Sequence, residues 1–278
     1  MSPVDLVNLI EQNAGRWPSM VIDFDALATL EEVAIRLIAA KDRYQALFAQ
    51  TNVPWPVIAV IHERECSQNW DLSIAQGDPW NQVSVHVPSG RGPFASWEEA
   101  AVDALTSCEH LDQWGHWDTL GGVLTRLEMY NGTGYAGMGQ PSPYIWSRTD
   151  QYVSGKYVAD HDFNPNVIDV QQGCAGLLAC IMTQDPTIQS DFASWGGPPA
   201  QPSLTGSDGV VHDTLWLQNT LNQLRASPQL KPDGGWGPLT IAALKNYQAS
   251  AGLSTNGRYN VPTLDSLMNA VASPTSAG

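Results

Sequence analysis

At 278 residues, with 43% hydrophobic and 15% charged side chains, the chain has room for one large and one small domain and is too apolar to be a disordered segment. A formal net charge of −15 argues against a nucleic-acid partner, whose phosphates require a basic face. No apolar run approaches the ~18 to 20 residues of a membrane span, so no membrane insertion is expected.

The opening "MSPVDLVNLIEQNAG" has neither the basic start nor the continuous apolar core of a secretory signal, which reads as synthesis in the cytoplasm. Residues 24–50 place Leu27, Leu30, Ala34, Leu37 and Ile38 at three- and four-residue steps, an amphipathic helix with Asp23 or Asp25 near its start. Pro54 and Pro56 open a second helix through "VIAVIHERE". Residues 76–93 turn Gly- and Pro-rich, and the alternation in "QVSVHV" suits a small hairpin. Ser96 and Glu99 form a capping box for a helix running to about Leu111. "WDTLGGVLTRLEMY" and "VIDVQQGCAGLLACIM" read as two further helices. Between Gly132 and Pro165 lies a long irregular region rich in aromatics, a length that is often functional.

Residues 190–209 are rich in Gly, Pro and Ser and read as a linker. The domain boundaries expected are therefore 1–189, a linker over 190–209, a compact segment over 210–271 and a disordered tail over 272–278. The charge follows the same division: from Asp208 onward there are four basic and four acidic residues, so the whole acidic excess lies before it. The compact segment carries a near-repeat, "DGGWGPLT" from Asp233 and "NGRYNVPT" from Asn256, each giving a Gly turn, an aromatic and a Pro-Thr helix start. Two such junctions imply three helices. Of the four cysteines, Cys174 and Cys180 stand about 240° apart on one helix and cannot readily bridge. Buried thiols are the expectation for all four, with a Cys108 link to either as the alternative.

"VIAVIHEREC", Val57 to Cys66, admits three readings. A zinc helix needs a second ligand one turn on, as in H-E-x-x-H, but Cys66 stands there and no motif supplies a third ligand. An amphipathic helix with a charged end is the plain reading. In the third, Val57 and Ile61 face the core and Glu65 emerges on the same side, where the core meets a cleft; a carboxyl held against apolar groups has a raised pKa and can act as an acid. Glu63, roughly 200° round the helix, is placed for solvent or a basic partner. "DHDFNPN" spaces Asp160, Asp162, Asn164 and Asn166 like half a calcium loop, but Pro165 replaces the required Gly, so it reads as a polar turn.

The C-terminal stretches "LWLQNTLNQL", "DGGWGPLTIAALKNYQASAGL" and "NGRYNVPTLDSL" resemble the three-helix peptidoglycan-binding domain over about 60 residues. The resemblance implies cell-wall binding, with Asp233, Trp236, Tyr247 and Tyr259 as residues of the binding module. "RECSQNW" resembles the Glu-Ser helix end of goose-type lysozymes and soluble lytic transglycosylases, with Cys66 in place of serine. It is closer still to the "H-x-R-E-S-S" of phage- and prophage-type lysozymes. "EMYNGTGY" resembles the Tyr-Asn-x-Gly motif of that superfamily, and "GDPWNQVSVHVPSGRGP", "SPYIWSRTDQYVSGKYVAD" and "NPNVIDVQQGCAGLL" are also similar to the phage type.

That resemblance implies a mostly α, lysozyme-like domain with a small β-hairpin, cleaving the β-1,4 bond between N-acetylmuramic acid and N-acetylglucosamine. Carried over by position, Glu65 is the general acid, and Tyr130 and Asn131 hold the sugar or orient the acid. Tyr135, Tyr144 and Trp146 either stack on sugar or pack in the core. Asp78 stands where a lysozyme hairpin carries a second carboxylate, or is a turn aspartate before Pro79; the former suits hydrolysis, and its absence suits transglycosylation by the substrate's own hydroxyl. A non-catalytic wall-binding protein is the remaining alternative. No cofactor or metal is called for, the partner expected is bacterial peptidoglycan and the expected state is a monomer; release through a holin is what the family implies.

Overall fold

The computed structural model describes residues 5–159, 162–199, 204–227, 229–232, 234, 236 and 238–272. The chain divides into two compact units, Met1–Pro199 and Ala200–Gly278. It is mostly helical, with two small antiparallel two-stranded sheets. No helix among the described residues is long and apolar enough to cross a membrane.

The first unit opens with α1 (Leu6–Arg16), capped by the Asp5 side chain, which accepts the Asn8 N–H. The long helix expected over 24–50 is broken into α2 (Phe24–Ala39), α3 (Lys41–Gln45) and α4 (Phe48–Thr51). The turn at Ala40 lets Lys41 reach Asp185 at 2.7 Å and brings the buried Tyr44 onto His62.

Helix α5 (Trp55–Cys66) is the axis of this unit. Every residue from Trp55 to His62 is buried, so the helix is not one-sided, as its sequence suggested, but enclosed all round. It packs against α2, α3, α7 (Leu120–Asn131) and α10 (Cys174–Gln184). Full burial of Val57, Ile58, Val60 and Ile61 stabilises it by roughly 1.5–3 kcal/mol per side chain. The helix ends where Ser67 and Gln68 take left-handed conformations and donate their N–H groups to the carbonyls of Glu63 and His62. Only its last turn leaves the core.

Helix α6 (Trp97–Val102) begins at Ser96, which accepts the Glu99 N–H, while the Glu99 carboxylate accepts the Ala95 N–H, one residue outside the usual capping box. It changes to π-helix over Asp103–Cys108, where the Thr106 hydroxyl takes the Val102 carbonyl. The α1–α7 seam is close: a Cβ on Gly121 would stand 2.7 Å from the Ile10 carbonyl oxygen. Within this seam the Asn13 amide donates to Thr125 and to Glu128, and accepts the Trp146 indole N–H. Glu128 is 2% exposed and its other oxygen has no partner among the described residues. Burial, only partly offset by Asn13, pushes its pKa up to about 7.

After α7 come α8 (Gly134–Gly137) and α9 (Pro143–Trp146), then a hairpin of β1 (Lys156–Ala159) and β2 (Asp162–Asn164). Among the described residues this is the hairpin of the unit. The alternating "QVSVHV" forms no strand, and Val83, Val85 and Val87 are all exposed, because no neighbouring strand offers them a covered face. Residues 167–173, expected as helix, run irregularly; α10 starts only after Gly173, where a Cβ would meet the Ile145 carbonyl oxygen at 2.5 Å.

The expected linker is largely folded. Its start lies in α11 (Thr187–Asp191), and Trp195 is buried with its indole N–H on the Trp117 carbonyl at 2.6 Å. The stretch from 204 forms β3 (Leu204–Thr205), paired with β4 (Val211–His212). Residues 200–203 and 273–278, the middle of the linker and most of the expected tail, lie outside the described residues. All four cysteines are free; Cys174 and Cys180 are buried, whereas Cys66 and Cys108 are half-buried.

The second unit is three helices, α12 (Thr214–Gln223), α13 (Pro238–Ser250) and α14 (Val261–Ala272), around Leu217, Leu221, Leu244, Leu264 and Leu267. The near-repeat has a physical basis. Buried Gln218 accepts the Gly234 N–H and donates to the Thr240 hydroxyl; buried Gln248 accepts the Gly257 N–H and donates to the Thr263 hydroxyl. One glutamine thus pins each loop to the start of the helix that follows it.

Candidate functional site

The last turn of α5 opens onto a cavity of about 650 Å³. Its walls come from the end of α7 and the following loop (Asn131 to Tyr135), the start of α9 (Pro143, Tyr144), strand β1, and the irregular stretch holding Asp169 and Gln171. Glycines shape this wall. Gly132 adopts φ +101° to end α7, and a Cβ on Gly134 would stand 3.0 Å from the Tyr157 ring.

Glu63 and Glu65 leave the helix end on different sides. Glu63 pairs with Arg36 of α2 at 3.3 Å, away from the cavity lining. Glu65 lines the cavity, and its Oε1 accepts the Tyr144 hydroxyl at 2.7 Å. The carboxyl is accessible to solvent yet crowded by protein on most sides, because it lies in a concave surface. Burial raises its pKa; the Tyr144 hydrogen bond and the Arg64 charge pull the other way without cancelling the rise. A carboxyl that can hold a proton and still meet a ligand is therefore present.

Behind it stands a buried ion network. Arg64, 5% exposed at its side chain, lies over the Tyr144 ring at 5.0 Å and donates to Asp169 Oδ2 at 2.5 Å and to the Gln172 carbonyl. Asp169 is 2% exposed and also takes Lys156 Nζ at 3.2 Å and the Gln171 N–H. Burial alone would raise the Asp169 pKa, but Arg64, the Gln171 N–H and Lys156 together hold it below the usual value. The path Asp169–Arg64–Tyr144–Glu65 is continuous. Arg64, Lys156 and Asp169 were missed in the sequence, although each stands in a stretch singled out there.

The remaining sequence-derived residues sort differently. Asn131 and Tyr135 line the cavity; the Tyr135 hydroxyl accepts the Tyr157 N–H, and its ring meets Tyr157 and Phe163 edge-on. Tyr144 lines it too, buried, and serves Glu65 through its hydroxyl rather than offering a stacking face. Tyr130 is not in the lining; its hydroxyl donates to the Ile74 carbonyl and ties α7 to the loop after α5. Trp146 is 0% exposed and belongs to the core, so it has no face for a ligand. Asp78 is outside the cavity lining as well. Its carboxylate accepts the Val85 and His86 N–H groups at 2.8 and 2.9 Å and the His86 ring at 2.6 Å, which closes the 78–86 loop and keeps its pKa low.

His62 is held within the core. Its Nε2 meets the Asn69 carbonyl and its Nδ1 the Tyr44 hydroxyl, and burial lowers its pKa to about 4, so the ring is neutral. Cys66 Sγ points to the His62 and Asn69 carbonyls. In the second hairpin strand Asn164 accepts the Asn166 N–H in a local turn, while Asp160 lies outside the described residues.

In the second unit Trp236 and Tyr259 stack with ring centres 6.5 Å apart, and the Tyr247 hydroxyl meets Ser266 at 2.8 Å. Asp233 lies outside the described residues. Residues 212–267 match the family model described as a putative peptidoglycan binding domain. The match supports a peptidoglycan-binding module in the second unit and, with it, association with the cell wall. No curated protein and no solved structure matches the chain.

Proposed function

We propose that the first unit is a peptidoglycan glycosidase of lysozyme type, cleaving the β-1,4 bond between N-acetylmuramic acid and N-acetylglucosamine, with Glu65 as the general acid. The observation that carries this reading is the Glu65 carboxyl itself: raised in pKa by its surroundings, oriented by Tyr144, and facing a cavity large enough for sugar rings. The wall-binding module supplies the substrate's context, since a tethered acid meets glycan at high effective concentration. Release through a holin and a phage origin belong to the same reading.

A second reading, a lytic transglycosylase, is favoured by one feature. Among the described residues lining the cavity the carboxylates are Glu65 and Asp169, and Asp169 is committed to Arg64 and Lys156. With no free base for water among those residues, the muramoyl 6-hydroxyl can attack the anomeric carbon as the glycosidic bond breaks; Glu65 protonates the leaving oxygen and then takes the hydroxyl proton, giving a 1,6-anhydro product.

Glu65→Gln tests both together: wall suspensions that clear with wild type should stay turbid with the variant. Equal clearing by the two would remove Glu65 as the acid, whereas no clearing by either would leave a non-catalytic wall-binding protein as the reading. Mass spectrometry of the wild-type products then separates reducing ends from 1,6-anhydro ends.

A further inference from the structure

The cavity does not share the acidic excess of the chain. The sequence carries a net −15, with its acidic excess in the first unit, yet among the described residues the charged groups lining the cavity are Arg64, Lys156, Asp169 and Glu65, two cations and two carboxyls. When Glu65 holds a proton, two cations face one carboxylate there. Arg64 is spent internally: its guanidinium is buried, packed over Tyr144 and bonded to Asp169 and Gln172. The surplus therefore falls on Lys156, whose side chain is 35% exposed and whose ammonium gives one of its three N–H donors to Asp169. Strand β1 fixes its backbone beside Tyr157 and Val158, which line the same wall.

We infer that Lys156 is a specificity-determining residue that pairs with a carboxylate on the muramoyl substituent of the glycan, an inference that rests on the glycan-cleaving reading of the first unit. Two groups share this chemistry: the lactyl acid and the acidic peptide attached through it. Asp169 holds the ammonium at the cavity wall without neutralising the site, because Arg64 already balances Asp169. An uncharged chitin strand has nothing to offer Lys156, whereas a muramoyl strand gains a charge-assisted hydrogen bond.

The test is equilibrium binding to full-length Glu65→Gln, which removes turnover, with three tetrasaccharides: chitotetraose, an alternating N-acetylglucosamine–N-acetylmuramic acid strand with free lactyl groups, and that strand carrying an L-Ala-D-Glu dipeptide. Adding Lys156→Met should weaken the acidic ligand roughly tenfold and chitotetraose by less than about twofold, with Lys156→Arg restoring most of the loss. Whether the lactyl or the dipeptide strand shows the loss assigns the source of the carboxylate. Equal losses on all three ligands, no loss on any, or no binding of either acidic strand would overturn the inference. Failure of the glycosidase reading is seen separately, as absence of wall clearing by the wild type, and the binding comparison is then free of turnover in any case.

Discussion

The Tyr144 hydroxyl donates to Glu65 Oε1 at 2.7 Å, and the ring that carries this hydroxyl lies 5.0 Å beneath the Arg64 guanidinium. Tyr144 is therefore fixed from both sides, and with it the direction in which Glu65 points.

Replacing Tyr144 by Phe keeps the ring and removes the donor. Because that hydrogen bond favours the ionised carboxyl, its loss raises the Glu65 pKa further. Activity that needs protonated Glu65 falls as pH rises through this pKa, so the alkaline limb of the kcat/KM profile should move to higher pH in Tyr144→Phe. The absolute rate should drop, since the acid is less well oriented. A carboxyl-carbon NMR titration of Glu65 checks the shift without relying on activity; an unchanged or lowered pKa would refute the assignment.

Asp78→Asn distinguishes a loop clamp from a catalytic partner. With its acceptors already filled by Val85 and His86, the residue should matter to the 78–86 loop alone. We expect wall clearing within about threefold of wild type, against the 10²- to 10⁴-fold loss typical of a removed acid or base. Limited proteolysis should cut the variant faster within 78–91.

Glu128→Gln should stabilise the first unit at neutral pH. The folded-state pKa of about 7 lies above the ordinary 4.5, so the fold binds the proton more tightly than the unfolded chain does. Its stabilising effect is complete below about pH 4.5, is lost as pH rises towards 7, and stays lost above. The glutamine keeps a neutral acceptor for Asn13 and escapes this loss, gaining on the order of 2–3 kcal/mol over wild type at pH 8 and little at pH 4. Denaturant titrations across this pH range measure the difference, and parallel curves for the two proteins would contradict it.

The second unit offers an independent prediction. Gln248→Ala leaves the Gly257 N–H and the Thr263 hydroxyl without their buried partner. A lost buried hydrogen bond of this kind costs about 1–3 kcal/mol, which lowers the melting of a unit this small by roughly 5–15 °C. Wall pull-down should weaken with it, while cleavage of soluble oligosaccharides by the first unit persists. Because basic and acidic residues balance from Asp208 onward, wild-type pull-down should change by less than about threefold between low and high salt; a collapse in salt would mean that charge, not sugar contact, holds the wall.

What the sequence revealed depended on how local each cause was. The three helices of the second unit were legible because Gly-turn, aromatic and Pro-Thr recur at fixed spacing, and the structure shows one glutamine behind each recurrence. Glu65 was separable from Glu63 because helical phase is a local property, even though α5 proved to be enclosed rather than one-sided. The "QVSVHV" alternation misled because a strand needs a partner, which no single segment specifies. Trp146 and Asp169 show the same limit from the other side. Trp146 is defined by Asn13, 133 residues earlier, and Asp169 by Arg64, 105 residues earlier. Helix α1, by contrast, carries a local signal, the Asp5 cap at its start.

The enclosure of α5 makes its length a ruler. Prolines 54 and 56 set its start and the left-handed pair Ser67–Gln68 its end, and the eight buried residues from Trp55 to His62 allow no rotation. Adding or deleting one residue inside this rod would displace its tip by about 1.5 Å and turn it by about 100°. Glu65 would then swing off Tyr144 and another side chain would occupy its place. Substitutions that keep volume should be absorbed along α5, whereas a single change in its register would reassign which residue the cavity meets.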